Sequence, residues 1–468
     1  MRRAGLLWLI LLAAYAGTLG LDAFGDSDYA GNEPHYLLSA QSIIEDGDLD
    51  VKNQYAARAY EDFYPYRLER HGVETAGRLH EPHGAGFPLL IAPAYAAGGA
   101  HGVELFLAAI AALGGALGYL LALRLVPDPW ALGTALAAGL SPPLLAFGSA
   151  VYPELAAGAA IAGAALLAAR LEQRISRREV FACSVLLGTL PWLGPKFVPA
   201  GIVVGLFAIR SLLQAKRGML ALGAAELAGF SAALYVGVNE SLYRGPTPYA
   251  AEAAGETATG TDFPGGYLSR SYRLVALLAD RDYGLLRWAP VFVLVLAGLW
   301  LLYRSRRDRL ARAVPALGAA ERVGFMCAGV LGVQMLVATF LAPTMFGFSF
   351  PPRHLVAALP LAVGLAAWGL RHFPRAGSAL AALSVAASAW LYLDVRFGDG
   401  GLATPRPDAP FGPLTGLFPS FRGSDWPYAF AAAVGCGAIL LALLEARRRH
   451  GASPRERDRS PREGPEGD

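Results

Sequence analysis

Charge is scarce in this chain. Of 468 residues only 16% are charged while 54% are apolar, and mean hydropathy is +0.39, which leaves too little polar surface to cover a soluble domain of this length. The net charge of +3 is too small to supply a general positive field, so a nucleic-acid binder is excluded. Lysine is rarer still, with Lys52, Lys196 and Lys216 standing beside a large excess of arginine, a bias that tracks genome composition rather than chemistry. Cys183, Cys327 and Cys436 are the only cysteines and lie inside apolar runs, which excludes a disulfide framework and a cysteine metal site. Walker loops, dinucleotide fingerprints, nucleophile elbows and zinc-protease patterns are also missing, and nucleotide-driven chemistry goes with them. Glycine and proline are frequent but scattered, so collagen-like and low-complexity readings fail.

What is present is a succession of apolar runs. Crossing a bilayer takes roughly 20 apolar residues in a helix, and about twelve runs qualify. They are 5–22, 102–124, 130–150, 152–170, 179–194, 197–213, 219–243, 286–303, 323–343, 353–370, 377–394 and 427–446. The fifth and sixth are short enough to form one re-entrant hairpin around Pro195. Met1-Arg2-Arg3 resembles the charged start of a secretory signal and Ala14-Tyr15-Ala16 a cleavage site, but the continuing membrane pattern favours an uncleaved anchor. With both termini in the cytoplasm, the clusters Arg174/Arg177/Arg178, Arg304/Arg306/Arg307/Arg309 and Arg447-Arg448-Arg449 all fall inside, as the positive-inside rule requires. The expected fold is an all-α polytopic membrane domain over 1–450, followed by a disordered cytoplasmic tail, 451–468.

Three outer loops, about 23–101, 244–285 and 395–426, are too long to be connectors. The first begins with Gly25-Asp26-Ser27-Asp28-Tyr29-Ala30-Gly31-Asn32-Glu33-Pro34-His35-Tyr36, which brings Asp26, Asp28 and Glu33 together at the membrane surface. Beyond it, Tyr36, Leu37, Ala40, Ile43 and Ile44 share one helical face while Gln41, Ser42 and Glu45 lie opposite, the pattern of an interfacial helix lying on the bilayer. Asn32 suits an N-cap, and Glu33 and Pro34 suit a first turn, so capping alone accounts for these three. Capping does not account for Asp26 and Asp28. Paired carboxylates there would bind a divalent cation, Mg or Mn, or act as a general base toward an acceptor hydroxyl.

These residues resemble a family. A carboxylate motif just after the first span, followed by an amphipathic helix in a long outer loop, is similar to the GT-C glycosyltransferases, among them protein O-mannosyltransferases and the aminoarabinose transferases of lipid A. The resemblance is carried by Asn32-Glu33-Pro34-His35-Tyr36-Leu37-Leu38, Asp46-Gly47-Asp48-Leu49-Asp50, 279–290 and Phe350-Pro351-Pro352-Arg353-His354-Leu355, with Gly86 to Pro93 similar to a second juxtamembrane segment. It implies transfer of a sugar from a polyprenyl-phosphate donor to a lipid, glycan or protein acceptor at the outer face of the plasma membrane. Where the family pattern has Asp-Glu, this chain has Asn32-Glu33. An amide cannot take up a proton at neutral pH, so the base role passes to Glu33, Asp28 or Asp26.

Other polar residues crowd the same face. Lys196, Arg58, Arg281, Arg287, Arg353 and His354 are candidates for the donor phosphate, since guanidinium groups match phosphate oxygens; the alternative for each is snorkelling or pairing with a loop carboxylate. Asn32, His35, Tyr36, His83 and Glu154 are candidates for the acceptor side. His80-Glu81-Pro82-His83 has two imidazoles three apart, but Pro82 breaks the helix a metal site would need. A transporter or lipid flippase is the competing reading, and a catalytically degenerate scaffold is the third. The crowding of polar residues in loops rather than at mid-span, and the lack of an internal repeat, favour surface chemistry.

Overall fold

The computed structural model describes residues 2–249, 267–311, 318–342, 344–405, 416 and 418–421, with the backbone alone for 309–311. The chain divides into two units, Met1–Phe418 and Pro419–Asp468, and of the second only 419–421 are described. The predicted run 427–446 and the tail 451–468 therefore lie outside the described residues. The eleven earlier runs all fall on helices. Among the described residues seven helices are long and apolar enough to cross a membrane, and Trp130–Gly139 with Pro142–Ser149, bent by 60°, makes an eighth if it is one broken span. The others fall short of the expected crossings. The first helix, α1 (Arg2–Ala16), has 15 residues, and at 1.5 Å per residue it reaches only about 22 Å.

Burial separates an inner group of helices from a lipid-facing one. Glu154–Leu171 is 89% buried and Arg353–His372 83% buried, and the two approach closely because Gly158 faces the backbone of Ala357. In Gly218–Tyr243, by contrast, only 11% is buried, and Met219, Phe230 and Leu234 stand exposed on an apolar surface that lipid covers. The chain is thus a polytopic membrane protein whose described secondary structure is almost entirely helical.

The first long loop folds as a small layer over one end of this bundle. Its elements are α2 (Glu33–Glu45), α3 (Lys52–Ala57) and a hairpin, β1 (Val73–Thr75) against β2 (Arg78–His80). The hairpin closes on Ala76 and Gly77, both at positive φ, as a two-residue turn between right-twisted strands requires. Leu38, Val51, Tyr55, Tyr60, Leu68 and Leu79 form its own apolar core.

Here the structure departs from the sequence expectation. Of the expected polar face of α2, Gln41 and Ser42 are buried, Ser42 Oγ donating toward the carbonyls of Asp48 and Asp50, while Glu45 stays exposed together with Ile44. The loop covers Gln41 and Ser42 on the side that periodicity assigned to solvent. Helix α4 (Gly86–Ala122) joins the second juxtamembrane segment to a span across a break at Gly98 and Gly99, where Gly99 has φ +61. Next come α5 (Trp130–Gly139) and α6 (Pro142–Ser149), then α7 (Glu154–Leu171) and α8 (Arg177–Leu193). Pro195 starts a tight turn between α8 and the next helix, and Pro195–Gln214 is long enough to cross, whereas α8 has 17 residues.

Candidate active site under the first loop

The segment between α1 and α2 is held from several sides. Gly31 sits at φ +57, and a Cβ there would lie 2.8 Å from both the Phe348 carbonyl oxygen and Tyr152 Oη, so no other residue fits. Tyr152 Oη donates to the Ala30 carbonyl at 2.8 Å and accepts from Asn32 N–H at 3.3 Å. Asn32 occupies the N-cap position of α2 without making a side-chain cap bond. Glu33 does the tying instead. Its Oε2 accepts from Ala30 N–H at 2.8 Å and its Oε1 from Val151 N–H at 2.7 Å, which fastens the loop to the connection between α6 and α7.

Only 3% of Glu33 is exposed, and burial pushes its carboxyl up to about 8, the two N–H donors opposing without cancelling the shift. The sign of the consequence is fixed. The native state holds a proton that the unfolded chain, at about 4.5, has released, so this stability is fully present below pH 4.5 and is lost as pH rises through 8. The melting temperature in detergent should therefore fall between pH 5 and about 8.5 more steeply in wild type than in Glu33→Gln. Parallel curves for the two proteins would contradict this assignment.

Asp26 and Asp28 part company. Asp26 is exposed, and its backbone N–H donates to Tyr66 Oη at 3.0 Å. Asp28 is half-buried and lines a cavity of about 20 Å³ with Glu33, Glu104, Ser149 and Tyr152. Burial raises its carboxyl above the ordinary aspartate range, with His101 opposing. Among the described residues no three His, Cys, Asp or Glu side chains gather in a geometry that would hold a metal ion.

A buried ion triad lies beside this segment. Glu154, at the start of α7, is fully buried, and its Oε1 accepts from both Lys196 Nζ and Arg353 Nε, each at 2.6 Å. Glu154 Oε2 has no partner among the described residues. The Arg353 guanidinium stacks 4.0 Å from the Tyr152 ring centroid, and Lys196 Nζ lies 5.1 Å from that of Phe197. Two cations on one carboxylate leave a net positive charge. Lys196 and Arg353 keep 18% and 19% of their side chains exposed while Glu154 keeps none, so a ligand can reach the cations without displacing their anchor.

Tyr36 links the triad to a second cluster. Its ring meets Phe87 at 4.9 Å, His83 at 5.1 Å and Tyr152 at 6.3 Å. His35 stacks on His71 at 4.6 Å, and its Nδ1 lies 2.9 Å from Tyr55 Oη and 3.2 Å from Glu81 Oε1. Tyr55 donates to the same Glu81 oxygen at 2.6 Å. Burial alone would raise the Glu81 carboxyl, but His35 and Tyr55 hold it below the ordinary value. Burial drives the His83 imidazole down to about 3, so it is neutral at the membrane surface.

The remaining predicted phosphate ligands are placed differently. Arg58 is 70% exposed and lies 3.4 Å from Glu61, on the outside of the loop layer. Arg287 is buried and donates to the Arg281 carbonyl at 2.5 Å while its guanidinium packs 4.2 Å from the Trp288 ring centroid. Asp280 Oδ1 accepts from the N–H groups of Asp282 and Tyr283, so 279–290 is a locked turn and Arg281 lends it a carbonyl. His354 Nε2 is 3.1 Å from the Thr344 carbonyl. Glu104, Glu81 and Tyr55 were not singled out from the sequence. A carboxylate inside an apolar run marks Glu104 and the neighbouring His80 and His83 mark Glu81, whereas nothing local marks Tyr55.

No protein-family model matches the chain, and no curated protein does. Among solved structures, the chain is similar to ArnT from Cupriavidus metallidurans in the apo state, with 15% identity and a TM-score of 0.45 over 83% of this chain. It is also similar to the archaeal oligosaccharyltransferase AglB from Archaeoglobus fulgidus in complex with an inhibitory peptide and a dolichol-phosphate, with 13% identity and a TM-score of 0.45 over 85% of this chain. The Archaeoglobus fulgidus oligosaccharyltransferase in complex with Zn and sulfate gives 14% identity and a TM-score of 0.41 over 85%. The chain covers 64%, 56% and 53% of those three chains, less than two thirds of each.

Proposed function

We propose that this chain is an integral membrane glycosyltransferase of the plasma membrane, with both termini cytoplasmic. It moves a sugar from a polyprenyl-phosphate donor to a lipid, glycan or protein acceptor at the extracytoplasmic face. The observation that carries this reading is the triad. Lys196 and Arg353, pinned to one buried oxygen of Glu154, offer a fixed, partly exposed positive charge suited to a phosphate at the membrane surface. Asp28 lines the neighbouring cavity with a carboxyl whose raised affinity for protons suits a general base.

In the proposed reaction Asp28 takes the proton of the acceptor hydroxyl, and the hydroxyl oxygen attacks the anomeric carbon. The bond from that carbon to the phosphate oxygen breaks, and the departing phosphate keeps the electron pair beside Lys196 and Arg353. A single displacement inverts the anomeric centre. Glu33 acts as a positioning residue, since both of its oxygens are occupied by backbone N–H groups. Tyr36, His35 and His83 form the aromatic wall against which an acceptor would lie.

Mass spectrometry of envelope glycans and lipid-linked sugars in a deletion strain tests the reading. Complementation with wild type should restore one envelope sugar that Asp28→Asn fails to restore, with the lipid-linked donor accumulating in the variant. Identical glycans in the deletion and both complemented strains would overturn it.

A further inference from the structure

The break at Gly98–Gly99 has a chemical result. It restarts α4 at the membrane surface with His101 and Glu104 on its first turns, three residues apart and therefore on one face. His101 Nδ1 lies 2.7 Å from Glu104 Oε2. The two residues sit on opposite sides of the protein boundary, for the His101 side chain is 67% exposed and that of Glu104 only 6%. At its inner end Glu104 lines the same cavity as Asp28. That cavity, about 20 Å³ and edged by Ser149 and Thr18, is lined by Asp28, Glu33 and Glu104 and has room for a single water.

We infer that Glu104 and His101 form a proton outlet for Asp28, carrying the acceptor's proton from the half-buried Asp28 carboxylate to the exposed His101 ring. This inference rests on the reading of Asp28 as the base. The proton leaves the acceptor oxygen for an Asp28 oxygen, crosses the cavity water to Glu104 Oε2, and binds His101 Nδ1. The other ring nitrogen of His101 then gives its proton to bulk water, which leaves Asp28 ionised for the next acceptor. No electrons are exchanged, and one proton enters and leaves.

A proton at Glu104 is governed by the charges around it. His101 faces it from the same helix, while Asp28, Tyr29 and Glu33 face it from the segment after α1. Asp28 is faced in turn by His101 and by Asp22. Among the described residues His101 is the only cation that pairs with Glu104, so the pair either carries protons or simply balances a buried charge.

The two roles separate experimentally. In proteoliposomes supplied with polyprenyl-phosphate sugars extracted from the source cells' membranes, release of polyprenyl phosphate is read by mass spectrometry across pH. Wild-type release, checked first, tests the glycosyltransferase reading itself, and its absence would count against that reading. Given wild-type release, His101→Ala should lower turnover about 10²-fold, with donor KM unchanged and with turnover recovered when imidazole is added. His101→Gln, which keeps a hydrogen bond to Glu104 without titrating, should show the same loss at a wild-type melting temperature. Wild-type turnover in His101→Gln, or a loss in His101→Ala that imidazole leaves unchanged, would overturn the outlet.

Discussion

Asp28→Asn is expected to lower sugar transfer by about 10²–10⁴-fold, the usual contribution of a positioned general base, at an unchanged or slightly higher melting temperature. The reasoning for stability follows from the same burial that suits the residue to its task. Asp28 is held where its ionised form is disfavoured, so an amide of the same shape removes an energetic cost and adds none. An inactive but well-folded Asp28→Asn protein is therefore the signature of catalysis. Glu33→Gln should behave in the opposite sense. Its amide nitrogen cannot accept from either Ala30 or Val151 N–H, so one buried donor loses its partner at a cost of about 1–3 kcal/mol. Thermal unfolding in detergent, measured beside turnover, separates the two.

Glu154→Ala should give the largest loss of stability in the molecule, about 3–5 kcal/mol. The carboxylate is fully buried and is the shared partner of Lys196 and Arg353, so its removal leaves two cations close together with no counter-charge. Lys196→Met keeps the Glu154–Arg353 pair and its 2.6 Å bond, and it should melt close to wild type. Its defect should appear in binding, as a donor KM raised about 10-fold for one lost charge-assisted contact. If Glu154→Ala melted with wild type, the triad would not be holding these elements together.

Much of the architecture could be read in the chain because it is local. Apolar runs marked the helices, and the pattern Gly31 to Tyr36 marked the start of α2 within a residue. Glu154, Lys196 and Arg353 were each nominated as juxtamembrane charges, but nothing in the sequence joined them. They stand 42 and 199 residues apart, and no periodicity spans such distances. The polar face of α2 misled for a related reason, since the loop that covers Gln41 and Ser42 is itself long-range structure. Arg287 looked like a phosphate ligand because charge is visible in sequence, whereas the Arg281 carbonyl that holds it is not. Asn32 was read as a cap, yet its side chain makes no cap bond, and the neighbouring Glu33 spends its carboxylate on the N–H groups of Ala30 and Val151, outside α2.

The central claim is that this chain breaks the bond between a sugar and a polyprenyl phosphate. Purified wild type in proteoliposomes, incubated with the lipid-linked sugar pool of its own membranes and an extract of envelope acceptors, tests it most directly by mass spectrometry of the lipids. The account predicts that one lipid-linked sugar disappears as free polyprenyl phosphate and an inverted glycosidic product appear, and that Asp28→Asn does neither. A lipid pool that crosses the bilayer intact in both proteins would contradict it and would favour transport.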